Sequence, residues 1–343
     1  MKLQWHRIEL PLKDPFTIAR GTMHHQQCLI VTLSHADVTG YGEVTCNRYY
    51  GHTYESLEAS LQRIEGLLAD CDAVHPSDLF ERCQVVIPDD TFALSAVDAA
   101  AYDLYGKLHG VRTTETLGLS EPGEICSSYT LGIDSIDQMV RKYRAQPDWP
   151  IYKIKLGTPH DLDIVRALRR ETEAVIRVDA NCAWTPEQTI TNSEALAELG
   201  VEFIEQPLPA EAPRAAQLDV FEHSRLPIIA DESCRTEEDV QKCHGLFHGI
   251  NIKLCKCGGL TPGSRMLRQA RQLGMKTMVG CMIESTVGIS AAAHLLPLLD
   301  YADLDGATLL AEDAADGVRI ENGRVIFSSV PGSGIELLAR SPR

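Results

Sequence analysis

Val175-Ile176-Arg177-Val178-Asp179-Ala180-Asn181 is a short β-branched run that ends in polar residues. Its length and composition predict a strand buried on both faces, as in a parallel sheet. Seven similar runs flank it: Cys126–Gly132, Tyr152–Gly157, Phe203–Pro207, Ile228–Glu232, Ile250–Lys256, Lys276–Met282 and Tyr301–Gly306. Helical stretches separate them, and the repeat of about 25 residues is that of a βα unit. Eight such units predict a barrel of the TIM type. An open doubly wound sheet usually has fewer, and no Gly-rich phosphate fingerprint follows any of the runs.

Outward from the barrel, the N-terminal part reads as mixed α and β. Leu3–Leu12 and Cys28–Ser34 alternate as antiparallel strands, and Gly40 turns the chain into Tyr41-Gly42-Glu43-Val44. Ser56–Asp70 and Phe92–Leu108 carry apolar residues at helical spacing. The expected division is a cap over residues 1–118, the barrel over 119–316, and a tail over 317–343 that returns to the cap.

Composition narrows the function. The 343 residues are too many for one ordinary core. No apolar run reaches the roughly 20 residues that span a bilayer, and the first residues have no apolar signal region, so a cytoplasmic location is expected. A formal net charge of −16 argues against nucleic acid or an anionic membrane as partner. The 11 cysteines have no paired CxxC spacing, which predicts reduced, mostly buried thiols rather than a zinc knuckle. Cys255 and Cys257 alternate along an apolar run, as in a buried strand.

The polar residues collect where a barrel keeps its chemistry, at the C-terminal ends of the strands. Asp179, Glu205 and Asp231 end three consecutive runs. Taken singly each reads as a helix N-cap; together, three converging anions would repel unless a cation lies among them. Oxygen ligands with no histidine point to one Mg2+ rather than zinc. Glu232 is the rival for the third ligand. Lys153 and Lys155 on the second run, and Lys253 on the sixth, lie to either side of the acids. A lysine acts as a base only where burial or neighbouring cations lower its pKa. Lys256 is three positions from Lys253, so on one strand the two would face opposite ways.

Lys153-Ile-Lys155, Val178-Asp179-Ala-Asn181, Ile204-Glu205-Gln-Pro207, Ala230-Asp231-Glu232-Ser233 and Lys253-Leu-Cys-Lys256-Cys-Gly258-Gly259 together resemble the enolase superfamily, in its muconate-lactonizing-enzyme subgroup. The resemblance spans nearly the whole chain. It implies an α/β fold, a modified TIM barrel (β/α)7β with an α+β N-terminal capping domain. It also implies Lys155 and Lys253 as the two acid–base residues, and favours Lys253 over Lys256. Tyr301-Ala-Asp303-Leu-Asp305-Gly306 is similar to the Asp-x-Asp motif of the dipeptide epimerases. That likeness implies that Asp303 and Asp305 hold a substrate α-ammonium, for which acceptor-only carboxylates are suited.

The resemblance further implies a 1,1-proton transfer on a dipeptide such as L-Ala-D/L-Glu, in cell-wall peptide recycling, with Lys153 beside the reacting carboxylate. The alternative is a cycloisomerase or o-succinylbenzoate synthase of the same subgroup. Phe16-Thr-Ile-Ala-Arg20-Gly21 and Arg48-Tyr49-Tyr50-Gly51 resemble cap loops over the mouth, with Arg20 placed for an acidic second residue. Asn181, Glu232, Lys256 and Glu284 are expected to support the site from behind. Barrels of this family commonly assemble, so a homo-oligomer is expected.

Overall fold

The computed structural model describes residues 1–120 and 125–339, so the end of the expected tail, 340–343, lies outside the described residues. A three-stranded antiparallel sheet opens the chain: β1 Lys2–Ile18, β2 Gly21–His35 and β3 Val38–Thr45. Strands β1 and β2 run past the expected Leu12 and back from Gly21, with a register shift between Pro11 and Phe16. Proline cannot donate to a ladder, and the irregularity accommodates it without ending the strand. Met23, His24 and His25 sit on β2.

Three helices follow, α1 Tyr54–Ala69, α2 Pro76–Val86 and α3 Thr91–His109; α1 and α3 pack on the sheet, and α2 packs against both of them. Thr53 and Ser56 form a capping box at the start of α1, and Asp90 accepts from the Ala93 amide at the start of α3. The alanine-rich α3 is buried on nearly all sides. It lies so close to β3 that a Cβ at Gly40 or Gly42 would run into the Ala100 or Ala96 carbonyl. Glycine is required at both positions because backbone meets backbone there.

After the single turn α4 Thr113–Thr116 come eight parallel strands in sequential order. They are β4 Tyr129–Leu131, β5 Ile151–Lys155, β6 Val175–Asp179, β7 Val201–Glu205, β8 Ile228–Ala230, β9 Gly249–Ile252, β10 Lys276–Gly280 and β11 Tyr301–Asp303. A bridge between Ser127 and Ala302 joins the last strand to the first. Helices α5 Ile136–Ala145, α6 Asp161–Arg169, α7 Pro186–Glu198, α8 Arg214–His223 and α9 Glu237–Cys243 follow the first five. Strand β9 leads into α10 Leu254–Cys257 and α11 Leu260–Gln272, and β10 into α12 Thr286–Ala293. No α-helix follows β11 among the described residues, which is the (β/α)7β pattern.

The run Ile250–Lys256 is strand only as far as Ile252, and Cys255 and Cys257 lie in the helical turn α10 rather than on a strand. Gly258 and Gly259, with φ of 102° and 127°, end that turn in conformations that side chains resist.

The two faces of the barrel strands differ sharply. Outward residues such as Tyr152, Ile154, Ile176, Val178, Ile250 and Ile252 pack under the helices in one continuous core. Inward, Phe203, Ile229, Met278 and Tyr301 form a separate apolar floor. The Arg177 guanidinium lies on this floor, 5.2 Å from the Phe203 ring and 4.8 Å from Tyr301, and its Nε donates to Glu202 at 2.7 Å. Two residues on from Phe203 and Tyr301 along their strands stand Glu205 and Asp303. No described helix is long and apolar enough to cross a membrane.

The tail folds back on α3: the Ser333 amide donates to Asp103 at 2.8 Å and Lys107 donates to the Ile335 carbonyl at 3.0 Å. At the same joint His294, just past α12, is 2 % exposed, and its Nδ1 lies 2.6 Å from Thr114 Oγ1. Burial pushes its imidazole down to about 4. An unfolded histidine titrates near 6.5, so the neutral ring contributes stability fully above that pH and loses it as pH falls through 4. The wild-type protein is expected to lose about 3 kcal/mol more than a His294→Gln variant between pH 7 and pH 4, from about 1.4 kcal/mol per pKa unit. Urea unfolding of both at the two pH values measures this. Equal losses in the two proteins would remove His294 from the acid response.

Candidate metal and acid–base centre

Because inward residues alternate along a strand, β5 aims Lys153 and Lys155 into the barrel, and β6 aims Arg177 and Asp179. Register aligns Lys155 with Asp179 and Asp179 with Glu205. Asp179, Glu205 and Asp231 are at most 1 % exposed, and one oxygen from each lies within 4.8 Å of the others. An all-carboxylate set of this size suits a hard, oxygen-seeking cation such as Mg2+. The same trio was expected from the strand ends.

Lysines surround the acids. Lys153 Nζ is 2.8 Å from Glu205, 2.8 Å from Asp303 and 3.4 Å from Asp179. Lys155 Nζ donates to Asp179 at 2.6 Å, and Lys253 Nζ is 3.0 Å from Asp231. Burial pushes the Glu205 carboxyl up to about 7, with Asp179 and Asp231 adding to the rise against Lys153. For Asp179, burial is outweighed by Lys155 and Lys153, which hold it at about 2. Burial works to lower Lys253, but Asp231, Glu205 and Glu232 outweigh it and keep the ammonium well above its ordinary range. A cation among the carboxylates would weaken that upward pull on Lys253.

The strand ends are strained and braced. Asn181, Cys182 and Gln206 have φ of 43°, 68° and 33°, in the left-handed region. Asn181 donates its amide N–H to Asp179 at 2.8 Å. Gln206 Oε1 accepts from the Asp231 and Ser233 amides at 2.9 and 3.0 Å, fixing the exit of β8. Asn251 Nδ2 donates to Glu205 Oε1 at 2.9 Å. Gln206 and Asn251 were not singled out from the sequence. Asn251 carried a signal there, as a polar residue two positions before Lys253 on the inward face.

Lys253 and Lys256 do not face opposite ways. Lys253 caps α10 and Lys256 sits one turn on, so both side chains reach Asp231. The opposite-face argument fails because the strand has already ended.

Asp303 and Asp305 stand at the end of β11, across the mouth from β7. Asp303 accepts from Ser128 Oγ at 2.7 Å, and Asp305 accepts from the Thr130 amide at 2.6 Å. Burial, then Asp303, pushes Asp305 up to about 7. An ammonium between the two would relieve that repulsion.

The cap closes the mouth at two points. Glu43 of β3 accepts from the Ser285 and Gly288 amides at the start of α12, at 3.0 and 3.1 Å. Burial and this neighbouring acid push Glu284 up to about 8, facing Lys253. At the hairpin tip Arg20 Nη2 donates to Glu232 Oε1 at 2.7 Å and Nη1 to the Asn181 carbonyl at 3.2 Å, with Tyr49 4.3 Å from the guanidinium.

Residues 4–118 match the mandelate racemase / muconate lactonizing enzyme N-terminal domain, and residues 135–341 match the enolase C-terminal domain-like family. An L-Ala-D/L-amino acid epimerase of Flavobacterium johnsoniae is 50 % identical over 338 residues, covering 98 % of this chain and 100 % of that protein. The L-Ala-D/L-Glu epimerase of Bacillus subtilis in a substrate-liganded complex superposes with a TM-score of 0.92 at 26 % identity, over 98 % of this chain and 99 % of that one. A dipeptide epimerase of Enterococcus faecalis, complexed with Mg and L-Leu-L-Tyr, gives 0.92 at 29 % identity, over 97 % and 98 %.

Proposed function

From the premise that the chain belongs to the enolase superfamily, in its mandelate racemase / muconate lactonizing enzyme group, we propose that it is a Mg2+-dependent dipeptide epimerase inverting the α-carbon of the second residue. One observation carries the reading: two lysines flank a carboxylate trio, and a second carboxylate pair stands opposite them. Asp179, Glu205 and Asp231 are the residues to hold Mg2+, beside which the substrate's terminal carboxylate binds. When bound, the cation supplies the positive charge that acidifies the α-proton of that residue.

Lys155 and Lys253 take opposite faces of the α-carbon. One breaks the C–H bond and keeps the proton, and the other delivers its own proton to the far face. No electrons leave the substrate, and the result is inversion. The Lys153 ammonium stabilises the charge that develops on the carboxylate oxygens. Asp303 and Asp305 hold the N-terminal ammonium and so fix the direction in which the dipeptide lies. Eleven free thiols support a reducing, cytoplasmic setting.

Incubation with Mg2+ and a panel of L-Ala-L-X dipeptides in deuterium oxide tests the proposal. Deuterium gain at the second residue with inversion is the expected result, abolished by EDTA. No exchange with any dipeptide, alongside turnover of a cycloisomerase substrate, would replace the reading with the subgroup's other chemistry.

A further inference from the structure

The three carboxylates of the trio are not braced alike. Asp179 is steadied by the Asn181 amide two residues on, and Asp231 by Gln206 from the neighbouring strand. Glu205 is held from two strands away, by Asn251 of β9. Ile250 and Ile252 belong to the outer core, so Asn251 between them points into the barrel, where register sets it beside Met278 of the floor. It is fully buried, and its Nδ2 donates to Glu205 Oε1 at 2.9 Å. A carboxylate oxygen only accepts, so the amide turns its N–H toward Glu205. Asn251 Oδ1 is then left buried with no hydrogen-bond partner among the described residues. What fixes the amide is its seat against Gly280 at the end of β10, where a Cβ would come within 2.8 Å of Nδ2 and 2.9 Å of Oδ1.

This donor acts on one oxygen of Glu205 only. Lys153 Nζ lies 3.0 Å from Oε1 and 2.8 Å from Oε2, so it does not distinguish the two. Asn251 does, and Oε2 remains buried without a hydrogen bond. The carboxylate thus offers a cation one committed oxygen and one free one. Mg2+ demands near-ideal octahedral geometry, which the narrow bite of a two-oxygen carboxylate fits badly. Ca2+ takes about 6–8 oxygens and accepts a carboxylate through one or both.

We propose that Asn251 is a positioning residue that sets the metal preference. By holding Glu205 Oε1 it confines Glu205 to a single ligand oxygen, Oε2, which favours Mg2+ over Ca2+ and keeps a place at the cation open for the substrate carboxylate. Gly280 is part of the device, because a side chain there would push the amide away. The proposal rests on the Mg2+ site of the reading above and is independent of which dipeptide is turned over.

Asn251→Leu keeps a similar volume and removes the donor, while Lys153 still satisfies Oε1. Protein stripped with EDTA is titrated with MgCl2 or CaCl2 by calorimetry, with no substrate present. Losing a contact behind a metal ligand costs about 10–100-fold in affinity. Asn251→Leu is expected to weaken Mg2+ by at least about 10-fold and Ca2+ far less, so that the ratio of the Ca2+ Kd to the Mg2+ Kd falls by at least about 10-fold. Gly280→Ala retains every polar group but displaces the amide, and is expected to move the ratio the same way.

Equal weakening of the two cations in Asn251→Leu would overturn the proposal, because a merely structural role moves both together. An unchanged pair of affinities would overturn it as well. Where Asn251→Leu fails to fold, Gly280→Ala decides by the same criterion. These outcomes leave the Mg2+ site and the epimerase reading standing. A wild-type protein that binds neither cation would overturn the Mg2+ site itself, and this proposal with it.

Discussion

Lys253→Ala is expected to lose inversion while keeping exchange of the α-proton with solvent for one epimer. Lys155→Ala is expected to do the same for the other. A positioned acid–base group contributes about 10²–10⁴-fold, and inversion needs both, so kcat for epimerisation should fall by that factor in each variant. The retained exchange is the sharper test. With one lysine gone, the other still faces its own side of the α-carbon and can remove a proton, trade it for deuterium and return it to the same face. Mass spectrometry of L,L and L,D dipeptides in deuterium oxide would then show complementary patterns. A Lys253→Ala protein that inverts both epimers at near wild-type rate would remove Lys253 from the chemistry. Loss of all exchange in both variants would mean that the two lysines act as one unit rather than as opposed bases.

Much of this site was legible because parallel strands buried on both faces should be apolar, and these are not. Lys153 and Lys155, or Arg177 and Asp179, are charged residues two positions apart in runs that are otherwise apolar, and only a polar barrel interior accommodates them. The trio at the ends of three successive strands follows from the same rule, because sequential order in the sheet makes chain neighbours spatial neighbours.

What stayed hidden depends on contacts distant in the chain or on breaks in regularity. The Arg20–Glu232 pair spans 212 positions, so no local pattern announces it. Glu43 reads as an ordinary strand residue until α12 is seen to begin against it. Helix α2 was not expected, although Pro76 at its first position and Asp78 in its first turn are start signals. Strand β9 was read too long because Leu254–Cys257 is apolar enough to continue a strand. That error in turn sent Lys256 to the wrong face.

Corrected, Lys256 carries the second large expectation: Lys256→Met should destabilise the fold at pH 7 by about 3–5 kcal/mol, the usual cost of removing one partner from a buried ion pair. Lys256 is 1 % exposed, and its ammonium donates to Asp231 Oδ1, to the Asp231 carbonyl at 2.6 Å, to the Asn251 carbonyl at 3.1 Å and to the Cys234 carbonyl at 3.3 Å. Methionine fills similar space with no donor, so it leaves one carboxylate under-compensated and three carbonyl contacts unmade. Burial alone would raise Asp231, but Lys253 and Lys256 outweigh it and hold the carboxyl well below its ordinary value. A depressed carboxyl contributes its stability above the unfolded pKa near 3.9 and loses it only in stronger acid, so at pH 7 the whole contribution is exposed to the substitution. Lys253, whose side chain is 11 % exposed and has one carboxylate partner at 3.0 Å, should cost clearly less when truncated. Urea unfolding without Mg2+ compares the two variants directly. Lys256→Met within about 1 kcal/mol of wild type, the scale of an exposed pair, would show that Asp231 finds its counter-charge elsewhere. Added Mg2+ should restore part of the loss in Lys256→Met, because a cation bound to the native state alone both returns positive charge to Asp231 and stabilises by mass action. The two lysines that meet at one aspartate would then divide the work, Lys253 serving proton transfer and Lys256 the fold that keeps Asp231 ionised.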